Sequence, residues 1–116
     1  MDSMRIIKAL ADENRLRMLK LLQQRGLCVC ELQGALGLNQ SNASRHLSRL
    51  KDVGLVTQTK DGQWIYYAIS EAKLAEYPFV KEILEQALRE DSILIEAMQV
   101  VRRYEVEGNP CAREAK

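Results

Sequence analysis

Between Leu32 and Gly54 two amphipathic segments meet across one short link, Gly37-Leu38-Asn39. Leu32, Ala35 and Leu36 give the first segment an apolar stripe at i, i+3, i+4 spacing, and Gly37 stops it. Asn39 can cap a following helix that runs to about Gly54. A link this short is the connection expected of a helix-turn-helix. The next runs, LVTQTK and QWIYYAI, are rich in β-branched and aromatic residues and flank Asp61-Gly62. That dipeptide predicts a tight hairpin turn with positive φ at both central positions.

The flanks extend this frame. Upstream, Ile6, Ile7 and Leu10 form a short apolar face, and Asp12 can cap a helix carrying Leu16, Met18, Leu19, Leu21 and Leu22, with Gly26 as its stop. Downstream, Ser70 can cap a turn, and Pro78 opens a helical stretch with Ile83, Leu84, Ala87 and Leu88. Ile93, Leu94, Ala97, Met98 and Val101 continue the period, either in the same helix or in a second one broken near Asp91-Ser92. The expected fold class is mainly α: a winged helix-turn-helix of four helices, a two-stranded β-wing and one or two C-terminal helices. Residues 1–106 are expected to form one DNA-binding and dimerisation domain, and 107–116 a flexible tail, because Gly108, Asn109 and Pro110 break the helical pattern. The first and last helices carry more apolar surface than a small core needs, which predicts a homodimer.

Composition narrows the function. The chain of 116 residues has 17 basic and 16 acidic side chains, a formal charge of +1, so a nucleic-acid role must rest on local charge placement. No apolar run reaches the ~18–20 residues that cross a bilayer, and the charged N-terminus is unlike a secretory signal, which predicts a cytoplasmic protein. Three cysteines are too few and odd in number for a disulfide scaffold. There is no Cys-x-x-Cys near a βαβ pattern and no Gly-rich phosphate loop, so no enzyme is expected.

On a helical wheel of about 100° per residue, Ala43, Leu47 and Leu50 share one side. Ser41, Arg45, Ser48 and Asp52 centre on the opposite side, flanked by Asn42, Ser44 and Arg49. Guanidinium groups suit guanine edges and phosphates, an amide suits adenine, and small hydroxyls allow close approach. The expected contacts to double-stranded operator DNA are Gln40, Ser41, Asn42, Ser44, Arg45, Ser48 and Arg49, with Lys60 reaching from the wing. Counterion release at phosphates makes such binding steeply salt-dependent. His46 lies within about 50° of the buried stripe and is read as a packing residue rather than a metal ligand. Trp64, Tyr66 and Tyr67 are read as packing residues of the ribbon.

Cys28-Val29-Cys30 falls where the helix before the turn should start. Two positions along a helix amount to about 200° of rotation, so both sulfurs can hold one ion only where the backbone is non-helical or becomes so. A thiophilic ion drawing them together would unwind or tilt the helix that leads to the DNA reader. The bland alternative is two small core residues, since cysteine is often buried. Thiolate-only ligation favours ions softer than zinc.

ALADENRLRMLKLL, then GLCVCELQGALGLNQSNASRHLSRLKDVGLV and a DG-turned wing, resemble the ArsR family of arsenic- and metal-sensing repressors, closely over about residues 3–70. The LCVCEL segment resembles the arsenic-site motif of the enterobacterial arsenical-resistance repressors. The resemblance implies a homodimer that represses an arsenical-resistance operon and leaves its operator when As(III) or Sb(III) binds cysteine thiolates, with no intrinsic cofactor. It also implies a third cysteine where this chain has Gln33. Cys111 is then the candidate third ligand beside Cys28 and Cys30, from its own or the partner subunit. Without a third sulfur the site would also suit an organoarsenical. Zinc sensors of the family use Asp, His and Glu on the last helix, and residues 79–106 have no histidine. The main alternative keeps the operator and changes the signal, with Cys28 or Cys30 bridging to Cys111 in a thiol-redox or sulfide-responsive repressor.

Overall fold

The computed structural model describes residues 2–108. Helices α1 (Asp2–Leu10) and α2 (Glu13–Leu22) lead into a short strand β1 (Leu27–Cys28), then α3 (Val29–Leu36) and α4 (Gln40–Asp52). The wing follows as β2 (Val56–Asp61) and β3 (Trp64–Ile69), and the described chain closes with α5 (Glu71–Glu76), α6 (Pro78–Gln86) and α7 (Ser92–Glu107).

Local chemistry accounts for the helix starts. The Asp12 carboxylate accepts from the Arg15 amide at 3.0 Å, and the Asn39 side chain accepts from the Asn42 amide at 2.8 Å. Gly37 ends α3 in the left-handed region at φ 68, and its amide donates to the Gln33 carbonyl. Helices α3 and α4 are thus joined by Gly37-Leu38-Asn39, as the sequence predicts. Leu47 and Leu50 are fully buried beneath α4, together with Leu19, Leu21 and Leu32 of the preceding helices. Each such side chain contributes roughly 1.5–3 kcal/mol of burial free energy, which fixes the opposite face of α4 toward solvent.

Several expectations are corrected. Helix α2 stops at Leu22, and Gly26 is not its left-handed cap. A Cβ there would lie 3.4 Å from the Tyr67 carbonyl, so Gly26 lets the chain pass close to β3. The sheet has three strands in the order β1-β3-β2, where only two were expected. Asp61 pairs with Trp64 inside the ladder, so the turn residues are Gly62 and Gln63, and of these only Gly62 has positive φ. That is a type II′ pattern rather than the expected pair of positive φ values. Three helices follow the wing, not one or two. Ala87 turns extended and Leu88 adopts φ 58, so these residues end α6 instead of continuing it. Asp91 starts α7, accepting from the Leu94 amide at 2.7 Å. The carboxylate of Asp91 also takes Arg17 Nε at 3.0 Å and a terminal guanidinium nitrogen at 2.8 Å, tying α7 to α2. Helix α7 reaches Glu107, one residue into the expected tail; residues 109–116 lie outside the described residues. No described helix is long and apolar enough to cross a membrane.

Candidate DNA-reading face and thiol cleft

Helix α4 presents the expected face. Gln40, Ser41, Arg45, Ser48 and Arg49 are exposed, and Asn42 and Ser44 are half-buried. Ser41 donates its hydroxyl to Asn39 Oδ1 at 3.1 Å, so this hydroxyl is partly committed to the cap. Lys60 is exposed on β2 opposite Ile65, close to the wing turn.

His46 is buried on the inner flank, as its wheel position predicts. An Arg15 guanidinium nitrogen lies 3.3 Å from His46 Nδ1. Arginine only donates, so Nδ1 accepts and the imidazole is neutral in this contact. Burial is the main cause that holds His46 below the usual histidine range, and the charges of Arg15 and Arg45 add to it against the opposing pull of Asp12.

The two cysteines sit differently from a helical pair. Cys28 is the N-cap of α3, extended at φ −88 and ψ 168, while Cys30 lies in the first turn. The separation of about 200° applies to two helical residues. With Cys28 in a strand, both residues border one cleft of about 330 Å³, lined also by Val29, Gln33, Gln40, Gln63, Trp64 and Ile65. Gln40 is the first residue of α4 and Gln63 belongs to the wing turn. Cys28 is also paired with Tyr66 across the β1–β3 ladder. The cleft therefore touches the reader helix, the wing and the start of α3 at once.

Glu31, which sequence reasoning passed over, holds this arrangement. It is 1% exposed and accepts from the Cys28 amide at 3.1 Å, in a capping-box arrangement, with Arg25 at 3.4 Å on its other oxygen. The Cys-x-x-Glu spacing was the available signal, with cysteine in the place usually held by serine or threonine. Trp64 lines the cleft, while Tyr67 is the ribbon aromatic packed against the core. Two sulfurs would suit a soft, thiophilic ion, and Gln33 adds a carboxamide to the same lining. Among the described residues no cluster of three His, Cys, Asp or Glu side chains could hold a metal, and Cys111 lies outside them.

Comparison with known proteins identifies the family and supports the fold. The sequence pattern described as "Bacterial regulatory protein, arsR family" matches residues 12–58. The arsenic resistance transcriptional regulator ArsR2 of Pseudomonas putida is 36% identical over 107 residues, covering 90% of this chain and 89% of the relative. The chain belongs to the arsR family. ArsR1 of the same organism is 46% identical over 65 residues, 55% of this chain, and the match spans about half of that relative, 51%. Regulators named for cadmium resistance also match. Among solved structures, the homodimeric winged helix-turn-helix DNA-binding domain of Mb0332 from Mycobacterium bovis superposes with a TM-score of 0.64 at 34% identity. It covers 76% of this chain and 82% of that domain. As an arsR-family member with this fold, the chain is a DNA-binding transcriptional regulator.

Proposed function

We propose that this chain is a homodimeric operator repressor of arsenical-resistance genes, released when As(III) or Sb(III) engages the thiolates of Cys28 and Cys30. The observation that carries the reading is the cleft, in which both cysteines border Gln40 of the reader and the Gln63-Trp64-Ile65 segment of the wing. A trivalent thiophile supplies short, directional bonds to sulfur. Drawing the two side chains together pulls Cys28 away from its strand pairing with Tyr66 and from its place as N-cap of α3. Two outputs follow: α3 shifts α4 through the short Gly37 turn, and β3 shifts the wing. Gly34 adds a third link, because a Cβ there would lie 2.6 Å from Tyr104 Oη, so α3 packs closely on α7. Exposed Met4 and Ile7 on α1 and Ile93 and Ile95 on α7 supply apolar surface for a two-fold interface. Such a dimer presents two copies of α4 to a palindromic operator.

The second reading is a thiol-redox or sulfide-responsive repressor, supported by the same nearness of Cys28 and Cys30 in the cleft. It uses the same cleft with Cys28 or Cys30 bridged to Cys111. One experiment separates the two: reduced protein on a labelled operator duplex is titrated with arsenite, antimonite, a methylarsenical, Cd(II) and a polysulfide. The arsenic reading expects release by arsenite or antimonite with thiols still reduced, lost in Cys28→Ser and Cys30→Ser while operator binding persists. A response shared by Cys111→Ser and the parent removes Cys111 from the ligand set. Release by polysulfide alone would overturn the arsenic reading, and release by Cd(II) alone would assign another ion.

A further inference from the structure

At the far end of α4 from the thiol cleft, two adjoining clefts of about 200 and 240 Å³ open to solvent. Arg5, Asp52 and Val53 line both; Lys51, Gly54 and Lys73 complete the first, and Lys8 and Arg49 the second. Arg5 and Lys8 come from α1, outside the segment in which the sequence concentrates its DNA contacts. Lys73 is 3.3 Å from Glu76, but among the described residues Arg5, Lys8, Arg49 and Lys51 have no carboxylate within 4.0 Å. Four exposed cations thus surround the single carboxylate of Asp52. In a chain whose net charge is +1, this is a marked local excess.

The position of the patch says what it faces. Asp52 is seven residues beyond Arg45, a rotation that brings it back to within about 20° of the same helix face. Through Arg49 and Asp52 the patch continues the reading stripe of α4 toward α1, with Lys51 on its edge, about 120° from Arg45. Long, exposed cations spread across two open clefts suit a polyanion better than a small ion, which needs convergent buried donors. We propose that Arg5 and Lys8 of α1, with Arg49 and Lys51 of α4, form a second phosphate-contact surface for the DNA duplex, adjoining the bases read by α4. This rests on the DNA-reading assignment of α4 and extends it to a helix otherwise given to dimer formation.

The test is the salt dependence of operator affinity. Each neutralised phosphate adds about 0.9 to the log–log slope, so the Arg5→Gln/Lys8→Gln variant, which removes two cations from each protomer of the dimer, should lose about 3.6 from it. Between 50 and 200 mM salt the parent's fall in affinity should then exceed the variant's by roughly 150-fold. Non-specific duplex should weaken by the same factor as operator, because phosphates carry no sequence. The conservative Arg5→Lys/Lys8→Arg variant should retain the parental slope, and thermal melting should show both variants folded. An unchanged slope in the folded glutamine variant would overturn the proposal, as would an effect confined to the specific operator. A variant that loses only the ability to bind inorganic phosphate would mean a small-anion site and would overturn it too. Arg45→Gln in parallel keeps the two assignments apart: if it leaves operator binding intact, the reading of α4 fails first.

Discussion

Glu31 offers the sharpest mutational test of how the thiol cleft is built. Its carboxylate is 1% exposed and accepts from the amide of Cys28, which is itself 2% exposed. Truncation in Glu31→Ala leaves that amide without an acceptor, a cost of about 1–3 kcal/mol. Loss of the reciprocal cap on α3 and of buried side-chain volume adds to this, for a total of about 3 kcal/mol. A domain of this size loses roughly 4 °C of melting temperature per kcal/mol, so the variant should melt about 12 °C lower. Glu31→Gln keeps an oxygen for the Cys28 amide and gives up only the charge facing Arg25. That contact is long, at 3.4 Å, and the Arg25 side chain is 29% exposed, so solvent screening limits the loss to about 1 kcal/mol. Circular dichroism melts of reduced protein, at one fixed concentration because dimerisation shifts stability, read both values. An alanine variant within about 4 °C of the parent, or a glutamine variant as damaged as alanine, would refute the capping argument.

Stability should also depend on pH in two separate windows. Burial holds His46 below its ordinary value of 6.5, so the unfolded chain binds the proton more readily, and stability should fall as pH drops from about 7 to 5. His46→Gln should flatten that part of the urea-midpoint profile; an unchanged profile would assign the fall to other groups. Hydrogen bonding from Arg17 holds the Asp91 carboxyl below its ordinary 3.8, so its contribution is present above about pH 4 and is lost as pH falls through the depressed value. Asp91→Ala should cost about 2–4 kcal/mol at pH 7, since it removes the cap of α7 and the two short bonds to the buried Arg17, which keeps only Asn14 at 2.9 Å and Glu13 at 3.4 Å, whereas Asp91→Asn should recover the cap. Equal losses in the two variants would show that the cap contributes nothing.

Much of the frame is legible because it depends on local chemistry. Asp12, Asn39 and Ser70 all accept from a backbone amide three residues on, and the spacing of Ala43, Leu47 and Leu50 fixes the outward face of α4. What sequence misses depends on distant partners. Strand β1 is two residues long and exists because Leu27 and Cys28 meet Tyr67 and Tyr66, about forty positions away in the chain. That pairing makes Cys28 extended and turns an apparently divergent helical pair into two residues on one cleft. The end of α6 is equally hidden, because Leu88 takes a positive φ with no glycine to announce it. The patch joining Arg5 and Lys8 to α4 arises only when α1 packs beside the end of that helix.

Trp64, the sole tryptophan of the chain, lies in the cleft with Cys28 and Cys30 at the base of the wing turn, so its emission reports on the cleft and the adjoining wing. The decisive measurement follows Trp64 emission and the anisotropy of a labelled operator in one sample while arsenite is added to the reduced protein. The account predicts that both signals change over the same arsenite range in the parent, and that neither changes in the Cys28→Ser/Cys30→Ser double variant. Operator release with unaltered Trp64 emission, or release of the double variant at the parental concentration, would contradict it.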